Sequence, residues 1–189
     1  GTGTLAWDRE FYRTEGNNTI QGSQYGHNGD GSAASVAASA WTAPTVVQSY
    51  SSLGANQTRF GPSSRSGVAP TLPNYVNPEV PVLMGLDGIV NSFFGSPIRS
   101  GSHAGLYAFF GTSAASPTAA AVAALGLEKN PTLKHDQVIS LMQQGANTQV
   151  ANPYSEVPIP HGRTVGAGLI DADSFLNLVP QTVVSPVVS

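Results

Sequence analysis

The chain has 189 residues, of which only 10% are charged; 8 Lys+Arg against 11 Asp+Glu leave a formal charge of −3. An average soluble domain carries roughly 25% charged residues. The absence of Cys excludes a disulfide scaffold, a zinc finger and a thiol nucleophile, and two lysines, Lys129 and Lys134, provide no basic footprint for nucleic acid.

No run of about 18 apolar residues occurs, so no membrane-spanning helix is expected. Gly1–Arg9 lacks a basic region followed by an apolar run, so no signal peptide is expected there. The hydrophobic fraction of 40% is enough to build a core. The length suits one domain or a large part of a bigger one.

The first stretch, Gly1–Ser32, is rich in turn residues and leaves room for one strand at most. Ala33–Trp41 is short, small and apolar, and reads as a buried strand. Thr45–Tyr50 alternates and is β-branched, which predicts a second strand. Ser51–Thr71 reads as a polar loop. Pro81–Leu86 is a third strand candidate, closed by an Asp87-Gly88 turn, and Ile89–Gly95 is a further short strand. Ser96–Gly105 reads as loop.

The character then changes. Pro117 precedes the Ala/Val/Leu run Ala119–Leu127, and proline is accepted in the first turn of a helix. A helix from about Ser113 to about Lys129 follows, ended by Asn130-Pro131. Leu133–Gly145 is a second helix, with Val138, Leu141 and Met142 on one face and Gly145 as its stop. Ala167–Leu178 contains a third, capped by Asp171 or Asp173. The chain divides into a domain over 1–179 and a Val- and Pro-rich tail over 180–189, a terminal strand or a linker.

Ser113 lies between a Gly-Thr pair and the helix, which places its hydroxyl at a helix N-terminus. Unpaired backbone N–H groups and the positive end of the helix dipole favour an anion at that point. The plain alternative is a helix cap before a buried Ala-rich helix. The elbow G-x-S-x-G is not matched, because Ala115 stands where the second Gly belongs.

Gly111-Thr112-Ser113-Ala114-Ala115-Ser116-Pro117 resembles the nucleophile motif of the subtilisin-like serine peptidases, G-T-S-x-A-x-P. Further stretches resemble the same family in order. They are Ala34–Trp41, Val47–Gly54, Pro78–Gly95, Asn130–Ala146 and the close at Gly166–Ala172. The sedolisins share a related serine motif, but Ala115 and the Gly166–Ala172 close favour the subtilases. Two departures are Met84-Gly85-Leu86-Asp87-Gly88, where Ala-Pro-Gly or Ala-Pro-Asp-Gly is usual, and Thr118 in place of His.

The resemblance implies an α/β, three-layer fold with a mostly parallel sheet flanked by helices, here the C-terminal half of a subtilisin-like domain. It implies a serine endopeptidase with Ser113 as nucleophile and oxyanion N–H donor, supported by Gly111, Thr112 and Pro117. The family's Asp and His motifs, D-[ST]-G and H-G-T, are absent from the chain. Asp87-Gly88-Ile89 and His161-Gly162-Arg163 echo them in the wrong places. The triad Asp and His are therefore expected upstream of Gly1, and the isolated chain is expected to be inactive.

Asn17 is a candidate for the family's oxyanion Asn, with a turn asparagine as the plainer reading. His27, His103 and His135-Asp136 read as loop, surface and helix-start residues. Phe93, Phe94, Phe109 and Phe110 are expected to fill the core or line a pocket. No metal ligands and no cofactor are assigned; a structural calcium would belong to a longer parent. The expected partners are a polypeptide substrate and the N-terminal half of the domain, with neither nucleic acid nor membrane. The expected location is extracellular or at a bacterial cell surface. The alternatives are a non-catalytic, subtilase-like binding or structural module, and a site completed in trans.

Overall fold

The computed structural model describes residues 24, 26–29, 31–54, 58–61, 67–76, 78–151 and 162–181. These form a mixed α/β fold. The central element is a parallel pair, β1 (Val36–Ala40) and β4 (Leu83–Asp87), in register from Val36 opposite Leu83 to Ala40 opposite Asp87. Between them in the chain, β2 (Thr58–Phe60) and β3 (Thr71–Val76) form an antiparallel ladder. Both strands of the parallel pair are buried along most of their length, as expected of strands covered on two faces.

Side chains alternate across a strand, and β4 uses both of its faces. Leu83 packs among Ala119, Val138, Met142 and Phe175 on the helical side. Met84 packs with Ala37, Val47, Val150 and Val165 on the other. Gly85 returns to the helical side, where an added Cβ would meet the Ala115 carbonyl oxygen at 2.7 Å. That contact explains why small residues recur here: Ala114, Ala115 and Ala119 are the buried face of α1 (Thr112–Lys129), pressed against β4. By the same alternation, Asp87 falls on the side of α1.

The helical layer is completed by α2 (His135–Gly145) and α4 (Ala172–Leu178). The Asp171 carboxylate caps α4, accepting from Ser174 N–H at 2.9 Å. This capping aims Phe175 into the layer, where it is 0% exposed. Gly126 forms its socket: a Cβ there would lie 2.3 Å from the ring. Burying such a side chain contributes about 1.5–3 kcal/mol. The expected stop of α1 is observed, with Asn130 bonded through Nδ2 to the Pro180 carbonyl at 3.1 Å.

Several expectations are corrected. The central pair is parallel as expected, but three of the four described ladders are antiparallel and lie in two further small sheets. β5 (Ile89–Asn91), β6 (Ser96–Pro97) and β7 (Tyr107–Phe109) form an antiparallel sheet ordered β5-β7-β6. Their connections are short, whereas a parallel return needs a crossover of about a dozen residues. Likewise, β2 and the start of β3 occupy the expected 51–71 loop.

On the face opposite α1, the cover among the described residues is a one-turn helix, α3 (Gly162–Val165), with Val47 and Val150. Within Thr45–Tyr50 the pairing is limited to two isolated bridges, Val47 with Ser39 and Val46 with Ala151, rather than a full strand. Val47 is buried as the alternation predicts. The Val47–Ser39 bridge is made by Gln48 N–H donating to the Ala38 carbonyl at 2.7 Å. The Ser51 hydroxyl accepts from Ala38 N–H at 2.9 Å and takes the donor that would extend it.

Candidate active site

Ser113 is the second residue of α1 and is exposed. The helix starts at Thr112, so Pro117 sits in the second turn and not the first. Proline has no N–H, so the Ser113 carbonyl lacks its usual i+4 donor. The helix start is held instead by the Gly111 carbonyl, which accepts from Ala114 N–H at 2.9 Å and Ala115 N–H at 3.1 Å. Gly111 has φ 115° and ψ 166°, a conformation essentially reserved for glycine. A Cβ on Gly111 would have room, with Ser113 N as its near neighbour at 3.8 Å. The backbone angle, and not crowding, demands glycine in G-T-S.

Beneath this turn lies Asp87, 0% exposed at the end of β4. Its Oδ2 accepts from Gly111 N–H at 2.9 Å and from the Tyr50 hydroxyl. Burial, then the hydrogen bond and charge of Asp87, push the Tyr50 hydroxyl well above the usual tyrosine range. Tyr50 therefore remains a donor at neutral pH. Thr118 has its hydroxyl 3.2 Å from the Leu86 carbonyl and 3.0 Å from the Ala114 carbonyl, which fastens α1 to β4.

Beside Ser113 is an open pocket of about 280 Å³. Its walls are the start of β1 (Ala34 to Ala37), the α1 residues Thr112, Ser113 and Ser116, and Gln24, Asn28 and Ser52. None of these carries a charge. The positive end of α1 is thus the main field acting on a ligand there.

Among the described residues, no histidine lines this pocket. His27 is exposed in the short turn Gly26–Asn28, His103 in the loop before β7, and His135 at the start of α2, 3.0 Å from Asp136. Asn17 and His161 lie outside the described residues. Neighbouring Arg163 serves structure: its N–H donates to the Gly54 carbonyl, its own carbonyl accepts from Gly54 N–H at 3.0 Å, and burial lowers its pKa. Asp87 is committed to the Gly111 turn and does not form part of a triad. Among the described residues, no cluster of His, Asp or Glu is arranged to hold a metal ion.

The aromatic residues also depart from expectation. Phe93, Phe94 and Phe110 are 81%, 54% and 48% exposed. Asn91 explains the first two: its side-chain oxygen accepts from Phe93 N–H at 3.0 Å and Phe94 N–H at 2.7 Å, a turn that throws both rings outward. Phe94 meets Phe109 edge-on, with ring centroids 4.9 Å apart.

No protein-family model matches the chain, and no curated protein matches it. The site is therefore judged on its chemistry. It has an exposed serine hydroxyl at a helix N-terminus, a rigid turn, and an uncharged pocket. It can stabilise an oxyanion through backbone N–H. Deprotonating the serine requires a base that the described pocket walls do not contain. Sequence reasoning missed Asn28 and Gln24 as pocket amides, and Asp87 and Tyr50 as supports of the turn. The Asp87-Gly88 dipeptide reads as an ordinary turn, so no local signal marked it.

Proposed function

We propose that this chain is the serine-bearing C-terminal half of a subtilisin-like serine endopeptidase domain. Ser113 attacks the scissile carbonyl, its N–H helps hold the oxyanion, and an acyl-enzyme forms and is released to water. A His from outside these 189 residues takes and returns the proton, and an Asp, also from outside them, orients that His. The substrate is polypeptide, and the setting is extracellular or at a bacterial cell surface. The reading rests on the resemblance around Gly111–Pro117. The observation that carries it is the strained Gly111 turn, which presents an exposed Ser113 to an open, uncharged pocket.

The outer face of α1 supports the same reading. Ser113, Pro117, Ala120, Ala121, Ala124 and Leu125 are exposed at helical spacing along that face. A mostly apolar helix face starting at the nucleophile is what the N-terminal half of such a domain would cover. Loss of triad members removes roughly a millionfold of rate in this family, so the 189 residues alone are predicted to be inactive.

A second reading, a non-catalytic subtilase-like module, is favoured by one observation: the Ser113 pocket has no histidine among its described walls. A fluorophosphonate probe separates the two. It should label Ser113 when the residues encoded upstream of Gly1 are present, fail on the chain alone, and fail on Ser113→Ala. Efficient labelling of the chain alone would overturn the claim that its base is elsewhere. No labelling of the longer protein would leave the non-catalytic module as the better reading.

A further inference from the structure

The one carboxylate held beneath the nucleophile turn has no role in the chemistry above. Asp87 is wholly buried at the end of a central strand. A buried carboxylate is costly unless it is well bonded, and an apolar residue would fill the position more cheaply. Its bonds go to two places. Oδ2 accepts from Gly111 N–H at 2.9 Å and from the Tyr50 hydroxyl. Oδ1 is buried and has no hydrogen-bond partner among the described residues. The carboxylate is thus committed to the turn that leads into α1 and to the tyrosine that shares its oxygen.

That turn leads directly into the helix start that carries Ser113. Gly111 holds a backbone conformation with φ 115° two residues before Ser113. Conformations of this kind persist only where their surroundings over-determine them. The Gly111 carbonyl is already used to start α1. Its N–H is used by Asp87. Both polar groups of the residue that aims the helix start are therefore fixed, one by the helix and one by the carboxylate.

We propose that Asp87 is a positioning residue for Ser113: its buried carboxylate clamps the Gly111 turn and so sets where the Ser113 hydroxyl stands. Tyr50 steadies the clamp from the opposite segment by donating to the same oxygen. The proposal rests on the reading of Ser113 as a nucleophile, and a misplaced nucleophile of this kind costs on the order of a hundredfold in rate.

The test is saturable fluorophosphonate labelling of Ser113 in the full-length protein, read with amide hydrogen exchange at Gly111 and, as a core control, at Met84. Met84 N–H donates to the Gly168 carbonyl inside the fold and reports general loosening. Asp87→Ala should lower the limiting labelling rate about a hundredfold and leave the half-saturating probe concentration nearly unchanged. It should also speed exchange at Gly111 and spare Met84. Asp87→Asn keeps an acceptor oxygen and should recover most of the rate. Tyr50→Phe should give a smaller loss in the same direction.

A limiting rate within about twofold of wild type in Asp87→Ala, with Met84 still protected, overturns the proposal. Should Asp87→Ala lose Met84 protection, Tyr50→Phe decides, and unchanged labelling with unchanged Gly111 exchange overturns it. Absence of labelling in the wild-type full-length protein counts against the endopeptidase reading. The clamp is then judged at Gly111 alone, where exchange unaffected by Asp87→Ala, with Met84 still protected, overturns it.

Discussion

At its C-terminal end, α1 is packed without space to spare: the Phe175 ring occupies the room a side chain at Gly126 would need, and Lys129 donates to the Leu176 carbonyl at 2.6 Å. At its N-terminal end, the same helix is open. Ser113 is exposed, the pocket beside it holds about 280 Å³, and the buried contact below is a shared carboxylate oxygen. Both ends are packed from beneath, Ala114 and Ala115 against β4 at one and Gly126 against Phe175 at the other, but the N-terminal end adds the directed bond from Gly111 N–H to Asp87. Apolar packing resists unfolding but leaves no room for a ligand. Directed bonds hold a turn in place and still leave its outer surface free.

The contrast can be tested from its strongest side. Phe175→Ala should cost about 3–5 kcal/mol in urea denaturation, since the socket formed by Gly126 cannot collapse onto an alanine. A loss under about 1 kcal/mol would mean that this end is not the stabilising one. Gly111→Ala, at φ 115°, should cost about 1–3 kcal/mol through backbone strain. Its larger consequence should be in Ser113 labelling of the full-length protein, which Phe175→Ala should spare while the protein remains folded.

Asp171→Ala should cost about 1 kcal/mol, because one cap bond to Ser174 N–H is lost from α4. The smallest effect concerns Tyr50. Its folded pKa is raised above the ordinary value of 10.0, so the native state holds that proton more tightly than the unfolded chain. The stability it contributes is fully present below pH 10 and is lost as pH rises further. Denaturation followed from neutral to alkaline pH should therefore slope less steeply for Tyr50→Phe than for wild type. Equal slopes would show that the Asp87 bond does not bias this titration.

The helical layer was legible in the chain because its signals are local. Pro117 with the Ala run, Asn130-Pro131, the Val138/Leu141/Met142 spacing and Asp171 each act within a turn or two of helix. The parallel pair was legible as two short apolar runs: β1 falls inside the first, and β4 runs one residue past the second, to Asp87. The Val46-Val47 segment was not, because whether a β-branched run becomes a strand depends on a free partner edge. Here Val47 makes one bridge to Ser39, and the Ser51 hydroxyl takes the Ala38 N–H that would extend it. The phenylalanines of the 93–110 region misled for a similar reason: hydrophobicity predicts burial only when another layer covers the residue. Asn91 turns two of those rings away from the fold.

The sequence by itself placed the start of α1 to within a residue, since helix starts depend on neighbouring residues. It also marked Ser113 as the residue at that start. Only the tertiary structure decided what holds the serine in place. The Asp87–Gly111 bond joins residues 24 apart in the chain, and the Tyr50–Asp87 bond joins residues 37 apart. A single carboxylate contacting two distant segments leaves no periodicity and no motif to read. Its role emerges only when the strand end, the tyrosine and the helix start meet.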